Sequence, residues 1–268
     1  MSSDSIQSPA SEATVSLTLI QQPLHWEQPA ANRKHLERVL ASRSQNHDII
    51  VLPETFSTGF TMNAEAVAEP MDGETVGWLI GMARQYEAVM VASLPIREHD
   101  HIYNRMLWVQ PDGRLQHYDK KHLFRLAGED RKYSPGAEQV VVEWQGWQVR
   151  LLVCYDLRFP AWCRSDGKDD LQIYIANWPA PRHAAWQKLL AARAIENQCF
   201  VAAVNRCGDD DNGHQYLGGS VVHDPFGETI ISAGAQPCVL SCEIDRQQAR
   251  TCRQRFAFFA DADAFQLG

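Results

Sequence analysis

The chain has 268 residues, 45% of them hydrophobic and 22% charged, and a formal net charge of −8. That composition supports one large core or two small ones. It offers no basic run to hold nucleic acid or an anionic membrane surface, and no apolar stretch of the ~20 residues that a bilayer crossing needs.

Residues 1–13 are Ser-rich with acidic residues and read as a loose tail ahead of a single domain over 14–268. Seven cysteines, an odd number with no apolar leader before them, argue against a secreted disulfide framework and for a cytoplasmic setting. The first strand is expected at 15–21. An amphipathic helix follows over 32–43, with Leu36, Val39 and Leu40 on one face. A buried strand over 48–52 runs into Pro53 and Glu54. A helix over 75–86 and a strand over 89–94 come next. Strands at 103–109 and 115–118 flank Gln110-Pro111-Asp112-Gly113, a hairpin by composition, and the second runs into Asp119 and Lys120. A second hairpin, 140–144 with 147–154, turns at Gln145-Gly146 and ends on Cys154.

A buried strand at 171–176, a helix at 184–197 and a strand at 200–205 continue the alternation. Strands at 218–223, 229–231 and 239–244 close it. Residues 246–268, with Phe256, Phe258, Phe259 and Phe265, are expected to pack on the body or on a partner subunit. Helices interleaved with buried strands and hairpins predict a layered α/β domain with mixed sheets.

Glu54, Lys120 and Cys154 share one design, each standing at the end of a strand. A thiol attacks as the thiolate and needs a base or a positive field. Glu54 is a candidate base, and Lys120 a candidate cation for the thiolate and for the oxyanion of a tetrahedral intermediate. The N–H of Tyr155 is a further oxyanion candidate. Each residue also has an ordinary reading: a small buried hydrophobe for Cys154, a cap or solvated acid for Glu54, a wet charged loop for Lys120. Sequence separation alone does not bring them together.

The longer motifs do. Leu52-Pro53-Glu54-Thr55-Phe56, Tyr118-Asp119-Lys120-Lys121-His122-Leu123-Phe124 and Cys154-Tyr155-Asp156-Leu157-Arg158-Phe159-Pro160 resemble the glutamate, lysine and nucleophile motifs of the nitrilase superfamily of carbon–nitrogen hydrolases, in the family's order. Tyr103-Asn104, Ala176-Asn177-Trp178-Pro179, Arg193-Ala194-Ile195-Glu196-Asn197 and Val204-Asn205-Arg206 extend the likeness over about 15–245. The resemblance implies an α-β-β-α sandwich, four layers of mixed sheets and helices. It implies Glu54, Lys120 and Cys154 as the catalytic set, with Glu129 positioning substrate and orienting Lys120, and a homodimer or larger assembly. Within the superfamily the chain is most similar to the omega-amidase branch, whose members release ammonia from the terminal amide of 2-oxoglutaramate and 2-oxosuccinamate through a cysteine thioester. Rival readings are a deaminated-glutathione amidase, an aliphatic amidase, an N-carbamoyl hydrolase or a true nitrilase. Outside hydrolysis stand a non-catalytic member of the fold and a redox sensor pairing Cys154 with Cys163.

A 2-oxo acid amide carries a carboxylate, so an Arg or Lys is expected on the pocket wall. Arg158 and Arg206 are the candidates, with an Asp156–Arg158 ion pair under the nucleophile turn as the alternative for Arg158. Phe60, Phe124 and Trp178 are candidates for a small aromatic pocket, and Tyr155 is a further substrate-binding candidate. The His and Cys spacings hold no metal pattern, there is no Gly-rich phosphate loop, and the implied chemistry uses no cofactor.

Overall fold

A computed structural model describes residues 13–42 and 47–267. The tail expected at 1–13 lies almost wholly outside them, as does Arg43 at the end of the first expected helix. The first half runs β1 (Thr14–Gln21), α1 (Pro29–Ala41), β2 (Ile49–Val51), α2 (Ala64–Val67), α3 (Glu74–Gln85), β3 (Val89–Glu98), β4 (His101–Val109) and β5 (Leu115–Asp119). The second half runs β6 (Val141–Trp144), β7 (Trp147–Val153), α4 (Pro160–Cys163), β8 (Leu171–Ala176), α5 (His183–Asn197) and β9 (Phe200–Asn205). It closes with β10 (Cys207–Asp209), β11 (Gln215–Leu217), β12 (Val221–His223), β13 (Thr229–Ser232), β14 (Cys238–Asp245) and α6 (Arg246–Arg255).

Two six-stranded sheets result, in the orders β14-β1-β2-β3-β4-β5 and β13-β12-β9-β8-β7-β6. Each has a parallel centre, β1-β2-β3 in one and β7-β8-β9 in the other, flanked by antiparallel pairs. The strand period of two sorts side chains into layers. Ile49, Val51, Val89, Val91, Met106 and Trp108 face the second sheet in one continuous core, while Ile50, Met90, Ala92, Leu107 and Val109 face α1 and α3. On the far face of the second sheet, α5 buries Trp186, Leu190 and Ala194. The layering is therefore α-β-β-α, in a single domain, as the motifs implied.

Four expected strands are shorter than their patterns: β2 loses a residue at each end, β6 one at its start, and two others are cut at a turn. The strand at 218–223 begins only at Val221, because Gly218 and Gly219 take φ of 58° and 75° and break the extended run. The strand expected to reach Cys154 stops at Val153, and Cys154 opens a 3-10 turn.

Candidate active site

The catalytic candidates come from the ends of strands in both sheets. The Leu52 N–H still bonds the Val91 carbonyl at 2.8 Å, so the chain leaves the sheet just before Glu54. Thr55, at φ 42°, turns it sharply and is held by its N–H on Ser93 Oγ at 2.9 Å. The Glu54 side chain is fully buried. Its Oε1 accepts from Asn104 Nδ2 at 2.8 Å and from Lys120 Nζ at 3.0 Å. Its Oε2 accepts from the Asn177 N–H at 2.7 Å, across the seam between the sheets.

Lys120 follows β5 directly, its N–H on the Asn104 carbonyl and its own carbonyl accepting from the Gly136 N–H, both at 3.0 Å. A Cβ on Gly136 would stand 2.1 Å from the Asp119 carbonyl oxygen, so only glycine fits against this strand end. The Lys120 side chain is 1% exposed. Its ammonium lies 3.0 and 2.9 Å from the two carboxylate oxygens of Glu129. Glu129 is delivered by a short 3-10 turn that starts after Gly128 at φ 77°, and its Oε2 also accepts the Phe124 N–H at 2.5 Å.

Cys154 opens its 3-10 turn at φ 46°, in the left-handed region that a side chain disfavours. The N–H of Tyr155 lies in the first turn, where no carbonyl of that turn reaches it. Asp156 pins the turn from below. It accepts from the Val153 N–H at 3.0 Å, the Tyr118 hydroxyl at 2.7 Å and the His122 N–H at 3.0 Å, and meets His122 Nδ1 at 2.8 Å. That network ties the nucleophile turn to the lysine segment and replaces the Asp156–Arg158 pairing considered from sequence. The His122 ring also stacks on that of Phe159, centroids 3.7 Å apart.

Burial, and then the Glu54 charge, hold the Cys154 thiol well above its ordinary value against the pull of Lys120. For Lys120, burial acts to lower the value, but the Glu129 and Glu54 charges outweigh it and raise it. Glu129 is raised, first by burial and also by Glu54, although Lys120 opposes both. The arrangement is a protonated thiol beside a carboxylate and an ammonium whose charge the two glutamates favour. It can make a nucleophile on demand and answer negative charge as it develops. Among the described residues no cluster of three or more His, Cys, Asp or Glu is placed to hold a metal ion.

The site opens into a cavity of about 590 Å³, in the range of small-molecule pockets. Phe60, Phe124, Tyr155 and Trp178 all line it, as does Arg158. The Phe60 ring lies 4.9 Å from Lys120 Nζ. Arg206 does not line the cavity. It is fully buried, its Nη2 donates to the Asp209 carbonyl at 2.7 Å, and its guanidinium lies over the Tyr216 ring at 4.5 Å. Its reading as a substrate contact is therefore corrected to an internal brace of the β10–β11 hairpin.

Sequence reasoning gave no role to Asn104, Asn177 or Arg182. The strand-end criterion that picked Cys154 after β7 picks Asn177 after β8 equally well, and it was the available signal. Arg182, at the cavity wall in a Pro-containing turn, carries no such signal.

The pattern of the carbon-nitrogen hydrolase family matches residues 16–254. A protein named omega-amidase YafV from Yersinia enterocolitica is 49% identical over 95% of this chain and 99% of its own length. A 2-oxoglutaramate amidase from Bacillus subtilis is 33% identical over 91% of this chain and 96% of its own. Among solved structures, XC1258 from Xanthomonas campestris superposes with a TM-score of 0.92 at 42% identity. That structure covers 95% of this chain and 99% of its own, and is described as a CN-hydrolase superfamily protein with an arsenic adduct in the active site. With the motif order, the sandwich and the buried Glu–Lys–Cys cluster in agreement, the chain belongs to the carbon–nitrogen hydrolase family.

Proposed function

We propose that this protein is an omega-amidase, hydrolysing the terminal amide of a short 2-oxo acid such as 2-oxoglutaramate or 2-oxosuccinamate to the 2-oxo acid and ammonia. The observation that carries the reading is the buried cluster in which Lys120 Nζ bridges Glu54 and Glu129 within 3.0 Å and, with Cys154, lines one cavity. The named relatives supply the substrate class.

Catalysis follows from that geometry. Glu54 takes the thiol proton as Cys154 Sγ attacks the amide carbon. The oxyanion faces the Lys120 ammonium and the Tyr155 N–H. Glu54 returns the proton to the leaving nitrogen, the C–N bond breaks, and ammonia departs from a thioester. Water then attacks with Glu54 as base, the C–S bond breaks, and the thiol regains its proton. Glu129 keeps Lys120 charged and aimed. One amide and one water give one carboxylic acid and one ammonia, and the cycle calls on no metal or cofactor. Phe60, Phe124, Tyr155 and Trp178 wall the acyl chain, and the cavity suits short amides.

The test is ammonia release from 2-oxoglutaramate, glutamine, asparagine, a deaminated glutathione analogue and a short nitrile, with Cys154→Ala in parallel. Preference for the 2-oxo amide that vanishes in Cys154→Ala is the expected result. Cys154-dependent preference for another member of the panel overturns the substrate and keeps the mechanism. Ammonia release unchanged in Cys154→Ala overturns the mechanism.

The same reading includes a homodimer and a cytoplasmic setting. Seven free cysteines fit a reducing compartment. Phe258 and Phe265, both more than half exposed near the C-terminus, fit a subunit contact. Among the described residues no helix is long and apolar enough to cross a membrane.

A further inference from the structure

Two cysteines from distant segments meet at the end of β1. Cys238 opens β14 and stands opposite Gln21, the last residue of β1. Cys207 opens β10, and its N–H bonds the carbonyl of the next residue, Gln22, at 3.3 Å. Gln22 ties the two together, since its Nε2 donates to the Cys238 carbonyl at 3.4 Å. Cys242, on the same face of β14 as Cys238, packs against the core that the sheets share. Gln21, opposite Cys238, reaches the same way: its Oε1 accepts from the Ser220 N–H at 3.0 Å and the Ser220 hydroxyl at 2.8 Å. Cys238 therefore faces the second sheet, and Cys207 arrives from that sheet just after β9. Burial pushes the Cys207 thiol up to about 11; Arg206 opposes the rise, and Cys238 beside it adds to it.

The two thiols differ in access. Cys238 is half-buried behind the exposed residues Ala235, Gln236 and Pro237, within reach of a small oxidant, whereas Cys207 is fully buried. Cys163, the partner considered for Cys154 from sequence, instead turns its thiol to the Asp156 carbonyl at 3.1 Å. Cys207 also stands at the foot of a cavity wall. The β10–β11 hairpin belongs to neither six-stranded sheet, and its Asp210, Asn212, His214 and Tyr216 line the cavity. At its foot the hairpin is held by the Cys207 bond to Gln22 and by the Arg206 brace to Asp209.

We propose that Cys207 and Cys238 form a peroxide-sensitive pair, whose disulfide ties the foot of the hairpin to β14 and weakens substrate binding without engaging Cys154. Hydrogen peroxide oxidises the Cys238 thiol to a sulfenic acid and releases one water. The Cys207 sulfur attacks the Cys238 sulfur, the S–O bond breaks, the S–S bond forms and a second water leaves. Two thiols lose two electrons and one peroxide gains them. A dithiol reductant reverses the step by exchange, as suits a transient bond in a reducing compartment. A disulfide holds its sulfurs about 2 Å apart, so closing it draws Cys207 toward β14 and carries the hairpin wall with it.

The experiment has two arms. In the first, full-length Cys154→Ala protein is treated with hydrogen peroxide, alkylated and mapped by mass spectrometry without reduction. A peptide pair joined through Cys207 and Cys238, and split by dithiothreitol, is the expected result. Its absence overturns the proposal, as does an equal yield of other cysteine pairings. This arm needs no turnover, so it stands or falls apart from the amidase reading.

In the second arm, kcat and KM are measured before and after peroxide for whichever amide of the panel is hydrolysed. KM of the wild type is expected to rise at least about threefold, a loss of ground-state binding, and to return with dithiothreitol. Cys238→Ser, whose untreated activity matches wild type, should show no such rise. A fall in kcat common to both proteins reports oxidation of Cys154 and is removed by the comparison. A KM unchanged in the wild type, or raised equally in Cys238→Ser, overturns the link between the pair and the cavity.

Discussion

Lys120 is the residue on which the site's charge balance turns. Its single ammonium faces two buried carboxylates, Glu54 and Glu129. Removing one partner of a buried ionic cluster costs about 3–5 kcal/mol, because the remaining charges stay desolvated. Lys120→Met is therefore expected to abolish turnover and lower the thermal midpoint by roughly 6–15 °C. Adding Glu129→Gln removes one of the stranded charges and should recover part of that fall. A calorimetric double-mutant cycle checks this, and a purely additive fall would contradict the assigned charges. The folded value of Lys120 is raised, so its contribution is complete below the unfolded value of about 10.4 and is lost only as pH climbs through the higher folded value. Acidic and neutral solutions leave it intact.

The Cys154 thiol is raised as well, and so stays protonated through neutral pH. The thiolate absorbance that Cys154→Ala removes should show no step below the ordinary thiol value of about 8.5. A step below neutrality would mean that the thiolate is preformed and that Glu54 is not needed as its base. That Glu54, Lys120 and Cys154 meet at one cavity was legible from sequence because each motif spells out a residue and its neighbours. Arg206 was misread because proximity to a motif says nothing about direction: its side chain turns away from the cavity to the Asp209 carbonyl.

Among the elements, the turn carrying Lys120 is tightly held. Gly136 lies against the carbonyl of Asp119 so closely that a methyl group would overlap it. Forcing one in costs about 1–3 kcal/mol, and the adjustment falls on the strand end that aims Lys120. Gly136→Ala should lower kcat more than it raises KM, since the cation and not the pocket wall is displaced. Steady-state kinetics with far-ultraviolet circular dichroism check this, and an unchanged kcat would show that the turn absorbs the methyl elsewhere. The buried parallel strands β8 and β9 were readable to the residue, being mostly apolar runs, with only Gln172 in one and Asn205 in the other, between polar turns. Helix α6 was not, because Arg-Gln-Gln-Ala-Arg-Thr-Cys-Arg-Gln-Arg has no apolar stripe. Besides the small buried Ala249 and Cys252, it docks through its charges: Arg253 reaches the Asp169 and Gln198 carbonyls and Asp170, and Arg250 reaches the Gly146 carbonyl. Polar docking leaves no hydrophobic period to read.

Taken whole, the molecule builds its site from both sheets. Glu54 and Lys120 follow strands of the first, Cys154 and Asn177 follow strands of the second, and Asn177 to Glu54 and Tyr118 to Asp156 bridge them at 2.7 Å. Activity therefore reports that the two sheets are docked. In urea, loss of turnover should coincide with or precede the change in tryptophan fluorescence, since Trp108 and Trp147 sit in the core the sheets share. Turnover that survives that change would show a site independent of the core. The sandwich itself was legible only through the motifs. Strand patterns give faces and order, and nothing in them says which strands share a sheet.

One pairing bears on how the chain is made. The last strand, β14, lies antiparallel along the whole of β1, from Thr14 opposite Asp245 to Gln21 opposite Cys238. During synthesis from the N-terminus, β1 emerges first and waits for its neighbour until more than two hundred further residues have been added. Until then its outer edge is an open template for another strand. Contacts this distant in sequence form slowly, so the nascent chain depends long on protection from aggregation at this strand.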